Sequence, residues 1–220
     1  MLHQQGSTPQ KNTKRGFNLP TDKETLRTRI GYKYLEAVRN RGNRFANTDN
    51  LKQQADVIAG LLTEEHDKYG IFINGYVGAG KSTMAKAIQM VVNEMVDNGE
   101  IPHTEIREEH YMAIVNARDM VKSYIRCHNG DEEEFRVMKS RKWLVIDDLG
   151  TDQKDVVLYG TVFNPFLELL DYRYEHLRPT IIVSNLTTDE LRDKYEDPRL
   201  IDRMREMFSV VSFKDSSFRA

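Results

Sequence analysis

The chain has a single cysteine, Cys127, and one tryptophan in 220 residues. One cysteine closes no internal disulfide, so no disulfide framework holds this fold. No apolar run approaches the roughly 18 residues of a membrane span. The first ten residues, MLHQQGSTPQ, lack the apolar stretch of a secretory leader. These absences point to a globular protein of the cytoplasm with no membrane partner. An overall excess of one charge is also missing, since 32 Lys/Arg face 34 Asp/Glu. The balance hides an asymmetry: residues 1–52 hold eleven Lys/Arg against four Asp/Glu. The remainder is correspondingly acidic. A basic arm on an acidic body suits an acidic partner, nucleic acid or protein; it equally describes a solvated tail.

What is present is organised. Residues 1–19 are polar and read as disordered. In TDKETLRTRIGYKYLEAVRN, Thr21 and Glu24 have capping-box spacing. Leu26, Ile30, Tyr34 and Val38 then form one apolar stripe of a helix. The stripe either packs on the body or docks a partner. RNRGNRFANTDN reads as a linker, after which Asn50 or Gln53 can cap a second helix. From residue 70 short apolar runs alternate with amphipathic segments. GIFIN, YMAIVN, RKWLVIDD, PTIIVSN and FSVVSF read as strands. STMAKAIQMVVNEM, ARDMVKSYIRC and TVFNPFLELLDYRYEH read as helices, and two short helices precede FSVVSF. Asp131–Glu134 reads as a solvated loop. Strands alternating with helices predict an α/β fold, a central parallel sheet covered on both faces.

GIFIN runs into Gly75-Tyr76-Val77-Gly78-Ala79-Gly80-Lys81-Ser82, which fits G-x-x-x-x-G-K-[ST] between a strand and a helix. The glycines allow a tight turn that turns successive N–H groups toward phosphate oxygens. Lys81 reaches the β- and γ-phosphates, Ser82 offers its hydroxyl to Mg²⁺, and the helix start adds its dipole. With Thr83, residues 75–83 form the expected ATP-binding set. WLVIDDLG delivers Asp147 and Asp148 to the carboxyl edge of the sheet, where ligands bind in such folds. Asp147 is expected to hold Mg²⁺ with Ser82, and Asp148 to polarise the attacking water. The plainer reading of the pair is a helix cap or surface turn. Asn185 ends the strand PTIIVSN, as a turn residue or a group that orients the hydrolytic water. Thr187 and Glu190 have capping-box spacing for the next helix. Near the end, PRLIDRMREM carries Arg199 and Arg203 one turn apart, either solvated or paired with Asp202 or Glu206.

These segments together resemble the AAA+ ATPases, and most of all the DnaC/DnaI-type helicase loaders and the related IstB-type transposition ATPases. The resemblance rests on YGIFINGYVGAGKST, WLVIDDLG, LLDYRYEHLRPTIIVSNLTTDEL and PRLIDRMREMFSVVSF, in that order, from about residue 45 onward. It implies a P-loop NTPase domain at 46–220, with no C-terminal helical lid, behind a short, helical, basic N-terminal extension at 1–45. That extension matches no helicase- or DNA-binding domain. The resemblance further implies ATP hydrolysis in a ring or spiral, with Asn185 as sensor and Arg203 as a finger reaching a neighbour's γ-phosphate. Arg199 would support it.

The function this implies is an ATP-dependent loader that engages a replicative helicase and single-stranded DNA. Lys122, Tyr124 and Arg126 offer a basic and aromatic surface for single strands, or an ordinary solvated face. Two alternatives share the core: an IstB-like ATPase that recruits a transposase on duplex DNA, and a nucleotide-gated binding module with little turnover.

Overall fold

The computed structural model describes residues 16–42, 48–102, 110–130 and 133–214. Helices α1 (Lys23–Asn40) and α2 (Asp49–Thr63) precede strand β1 (Gly70–Gly75) and helix α3 (Lys81–Asp97). Next come β2 (Ala113–Asn116), α4 (Ala117–His128), α5 (Glu133–Ser140) and β3 (Leu144–Leu149). A hairpin, β4 (Val156–Leu158) and β5 (Thr161–Phe163), leads into α6 (Pro165–Glu175) and β6 (Thr180–Ser184). The described chain ends with α7 (Thr188–Tyr195), α8 (Pro198–Met207) and β7 (Phe208–Phe213).

Five strands form one sheet in the order β2-β3-β6-β1-β7, and every pairing in it is parallel. Side chains alternate across a strand, so one apolar run feeds two cores. Ile71, Ile181 and Val145 lie side by side in register and face one core. Phe72, Ile182 and Ile146, one residue on, face the other. Helices α1, α2 and α3 cover the first core, and α4 to α8 cover the second. The expected three-layer α/β arrangement is therefore present. Among the described residues no helix is long and apolar enough to cross a membrane.

The α1 stripe packs on the body: Leu26, Ile30, Tyr34 and Val38 are buried with residues of α2 and α3. Fully burying a side chain such as Leu26 or Ile30 stabilises by about 1.5–3 kcal/mol. Several local expectations need correction. Asp22, not Thr21, caps α1, its carboxylate accepting from the Thr25 N–H at 2.8 Å. Thr48 caps α2 in place of Asn50 or Gln53. Phe17 and Leu19, inside the stretch read as disordered, are buried in the core; residues 1–15 lie outside the described residues. Residues 43–47 of the linker and 131–132 of the acidic run also lie outside them, while Glu133 and Glu134 open α5 rather than sit in a loop. The helix expected from Thr161 begins at Pro165, capped by Asn164. Thr161–Phe163 pairs instead with Val156–Leu158. The turn between them, Tyr159-Gly160, has positive φ at both residues, the geometry that joins two antiparallel strands with two residues.

Candidate nucleotide-binding site

Three strand ends converge at the carboxyl edge of the sheet. β1 ends in the loop 75–80, which passes directly into α3. Gly75, Gly78 and Gly80 have φ of 135°, 84° and 92°, values that glycine adopts without strain. Gly75 has a second reason to lack a side chain: a Cβ there would lie 1.9 Å from the Phe213 carbonyl oxygen on the neighbouring strand β7. Gly75→Ala should therefore lower stability by about 2 kcal/mol or more, because a backbone forced into a glycine-only region costs about 1–3 kcal/mol before any clash. Urea unfolding measures this. Tyr76 and Val77 are 68% and 62% exposed, as expected of a loop that works through its backbone.

Lys81 is buried, and its Nζ donates to Gly75 O, Tyr76 O and Asn185 Oδ1, each at 2.8 Å. The ammonium thus bridges the loop and the tip of β6, where Asn185 stands beside it. Ser184, the residue before it, fixes that tip: its hydroxyl donates to Leu149 O at 2.6 Å and accepts from the Leu186 N–H.

Ser82 Oγ donates to Asp147 Oδ1 at 2.9 Å, so the two expected metal ligands touch. The β3–β6 register shifts between Ile146 and Leu149, and Asp148 has φ of 57°. This irregularity takes Asp147 and Asp148 out of the pairing with β6, as bulges beside functional sites do. The Asp148 N–H donates back to Asp147 Oδ1. Burial pushes the Asp147 carboxyl up from its ordinary value and the Asp148 charge adds to the rise, while the Ser82 hydrogen bond and the Arg41 charge oppose it. A bound divalent cation would reverse the rise. Among the described residues no cluster of three His, Cys, Asp or Glu forms a self-sufficient metal cage. The oxygen set of Ser82 and Asp147 suits Mg²⁺, which takes few protein ligands and completes its shell with phosphate oxygens and water.

Two residues at the site escaped the sequence reading. Asn116, in register with Asp147, donates to Asp148 Oδ2 at 3.4 Å; an asparagine ending YMAIVN at the same sheet edge was the available signal. Arg41, just past α1, donates to Thr83 Oγ1 at 3.2 Å. No local pattern marked it, because the contact spans 42 residues.

The late arginines sit apart from this cluster. Arg203 is 15% exposed, pairs with Asp171 of α6 at 3.1 Å and lies over the Tyr174 ring. Arg199 is exposed and pairs with Asp197, the cap of α8. Neither pairs with Asp202 or Glu206. The trio of α4 does not form an aromatic surface. Tyr124 is fully buried and donates to Glu168, Lys122 pairs with Asp119 and Arg126 with Glu134.

No protein-family model and no curated protein sequence matches the chain. Solved structures do. The DnaC helicase loader superposes with a TM-score of 0.57 at 18% identity, over 78% of this chain and 94% of that one. DnaI gives 0.56 at 20% identity, over 78% and 88%. DnaA from Aquifex aeolicus, bound to AMPPCP, gives 0.55 at 22% identity over 80% of this chain. This chain spans half the length of that DnaA chain. The chain therefore shares the fold of the DnaC and DnaI structures.

Proposed function

We propose that the protein is a Mg²⁺-dependent ATPase of the helicase-loader type, acting in a ring or spiral and engaging a replicative helicase and single-stranded DNA. The observation that carries this reading is the meeting of three distant segments. Lys81 touches Asn185 across 104 residues, and Ser82 touches Asp147 across 65, at one sheet edge on an AAA+ fold. The body is residues 46–220, and the arm 1–45 docks on it through α1.

When bound, ATP supplies the phosphoryl group and Mg²⁺ the charge that steadies its transfer. The chain's own residues do the rest. The N–H groups of residues 75–83 cradle phosphate oxygens, and Lys81 leaves its loop carbonyls to neutralise them. Ser82 and Asp147 would hold the metal. Asp148 and Asn185 orient the attacking water, with Asn116 restraining Asp148. Arg203 acts as the finger in a neighbouring subunit, with Arg199 beside it, after exchanging Asp171 for the more highly charged phosphate.

Arg203→Ala should spare ATP binding and lose hydrolysis by about 10³-fold, the usual worth of an arginine finger. Mixing Arg203→Ala with Lys81→Ala subunits should restore part of the activity, since some interfaces then hold an intact loop and an intact arginine. No recovery in assemblies that contain both variants would count against action across an interface. Steady-state hydrolysis with and without single-stranded DNA tests turnover. Tight ATP binding with no hydrolysis under any condition would leave only a nucleotide-gated binding module. Affinity capture with ATP tests the partner: a retained helicase supports loading, and a retained transposase replaces it with the transposition reading.

A further inference from the structure

Helix α1 runs antiparallel to α3. Arg29, in its first half, pairs with Glu94 and Glu100 at the far end of α3, at 2.9 and 2.6 Å. Lys33 also pairs with Glu94, at 2.6 Å. Past the other end of α1, Arg41 reaches the beginning of α3, where its Nη1 donates to Thr83 Oγ1.

The cations of this segment differ in their partners. Lys23 and Arg27 face Asp56, and Arg29 and Lys33 face carboxylates of and just beyond α3. Among the described residues Arg41 faces no carboxylate within ion-pair distance, and its hydrogen-bonded partner is a neutral hydroxyl two residues after Lys81. The guanidinium still lies near the phosphate site, since Thr83 belongs to the first turn of α3, which opens directly from the loop 75–80. The residue is exposed, so its side chain pays little to change partners. Phosphate oxygens offer it paired, charge-assisted hydrogen bonds that a threonine hydroxyl cannot.

We propose that Arg41 contacts the polyphosphate of the nucleotide held by its own chain, and so ties the end of the arm's helix to the nucleotide. This rests on the reading of residues 75–83 as a nucleotide site.

The test uses the full chain with ATP and Mg²⁺, titrated by calorimetry, and the melting temperature without nucleotide. Arg41→Ala should weaken ATP binding about tenfold or more, the scale of a lost charge-assisted hydrogen bond. The nucleotide-free melting temperature should stay at the wild-type value. Arg41→Lys should recover part of the affinity, and Arg41→Gln, which can still donate to Thr83 but carries no charge, should recover none. Wild-type affinity in Arg41→Ala, while Lys81→Ala binds poorly, would overturn the proposal and leave the nucleotide site standing. Loss of affinity that follows a drop in melting temperature and is restored by Arg41→Gln would also overturn it, because Arg41 would then be an anchor for α1. Failure of the wild-type chain to bind ATP would overturn both readings.

Discussion

Lys81→Ala should abolish hydrolysis and weaken ATP binding by about 100-fold or more, equivalent to about 3 kcal/mol. The side chain is buried, and its ammonium has three oxygen acceptors at 2.8 Å. Two are carbonyls of the loop itself, so the positive charge is already placed at the loop's centre. In the alanine variant the loop N–H groups would face phosphate without that charge. Gly75 O and Tyr76 O would also lose a donor, which adds a smaller cost to the nucleotide-free protein. Calorimetric titration with ATP and Mg²⁺ separates the two effects from thermal unfolding without nucleotide. Affinity within about threefold of wild type, a difference under about 1 kcal/mol, would refute the assignment of the site.

Arg173→Met should destabilise the fold by about 3–5 kcal/mol, the usual cost of leaving buried polar groups unpaired. Arg173 is fully buried in α6. Its Nε donates to Thr180 Oγ1 at 2.8 Å, and its Nη1 donates to the carbonyls of Met138, Lys139 and Arg141. Its Nη2 donates to Pro179 O at 2.8 Å. One side chain therefore ties α6 to the end of α5, to the turn before β3 and to the entry of β6. Burial pushes its guanidinium down to about 9, which still leaves it charged at neutral pH. Methionine fills much of the volume but strands four carbonyl oxygens where water has little access. Urea unfolding should show a lower midpoint with little change in slope. Stability within about 1 kcal/mol of wild type would mean that those carbonyls find other donors.

The parts of the site that were legible share a property. The loop from Gly75 to Thr83 reports its own chemistry, because its glycines, Lys81 and Ser82 are consecutive. Asp147, Asp148 and Asn185 were legible because each ends a short apolar run, and a parallel sheet brings such ends to one edge. Arg173 was illegible for the opposite reason. It stands among LLDYRYEHLR as one more charged residue on a helix, and only packing of α6 against the end of α5 and the entry of β6 encloses it. Tyr124 shows the reverse error: a polar-tipped residue between Lys122 and Arg126 looked exposed, yet helical periodicity turns it inward with Met120 and Val121. Of the hairpin, Val156–Leu158 reads as no element and Thr161–Phe163 as the start of a helix, because three-residue strands are too short for alternation to register.

The sequence by itself determined the alternation of strands and helices, the order of the motifs and the place of the glycine-rich loop between a strand and a helix. Those features depend on neighbours within a few residues, where periodicity and backbone constraints act. Only the tertiary structure decided where the charges go. It placed Arg203 on Asp171, enclosed Arg173 among carbonyls, docked α1 along α3 and brought Arg41 to Thr83. Each of these contacts joins segments whose separation along the chain carries no information about their distance in space, and it forms only when sheet and helices close around a common core.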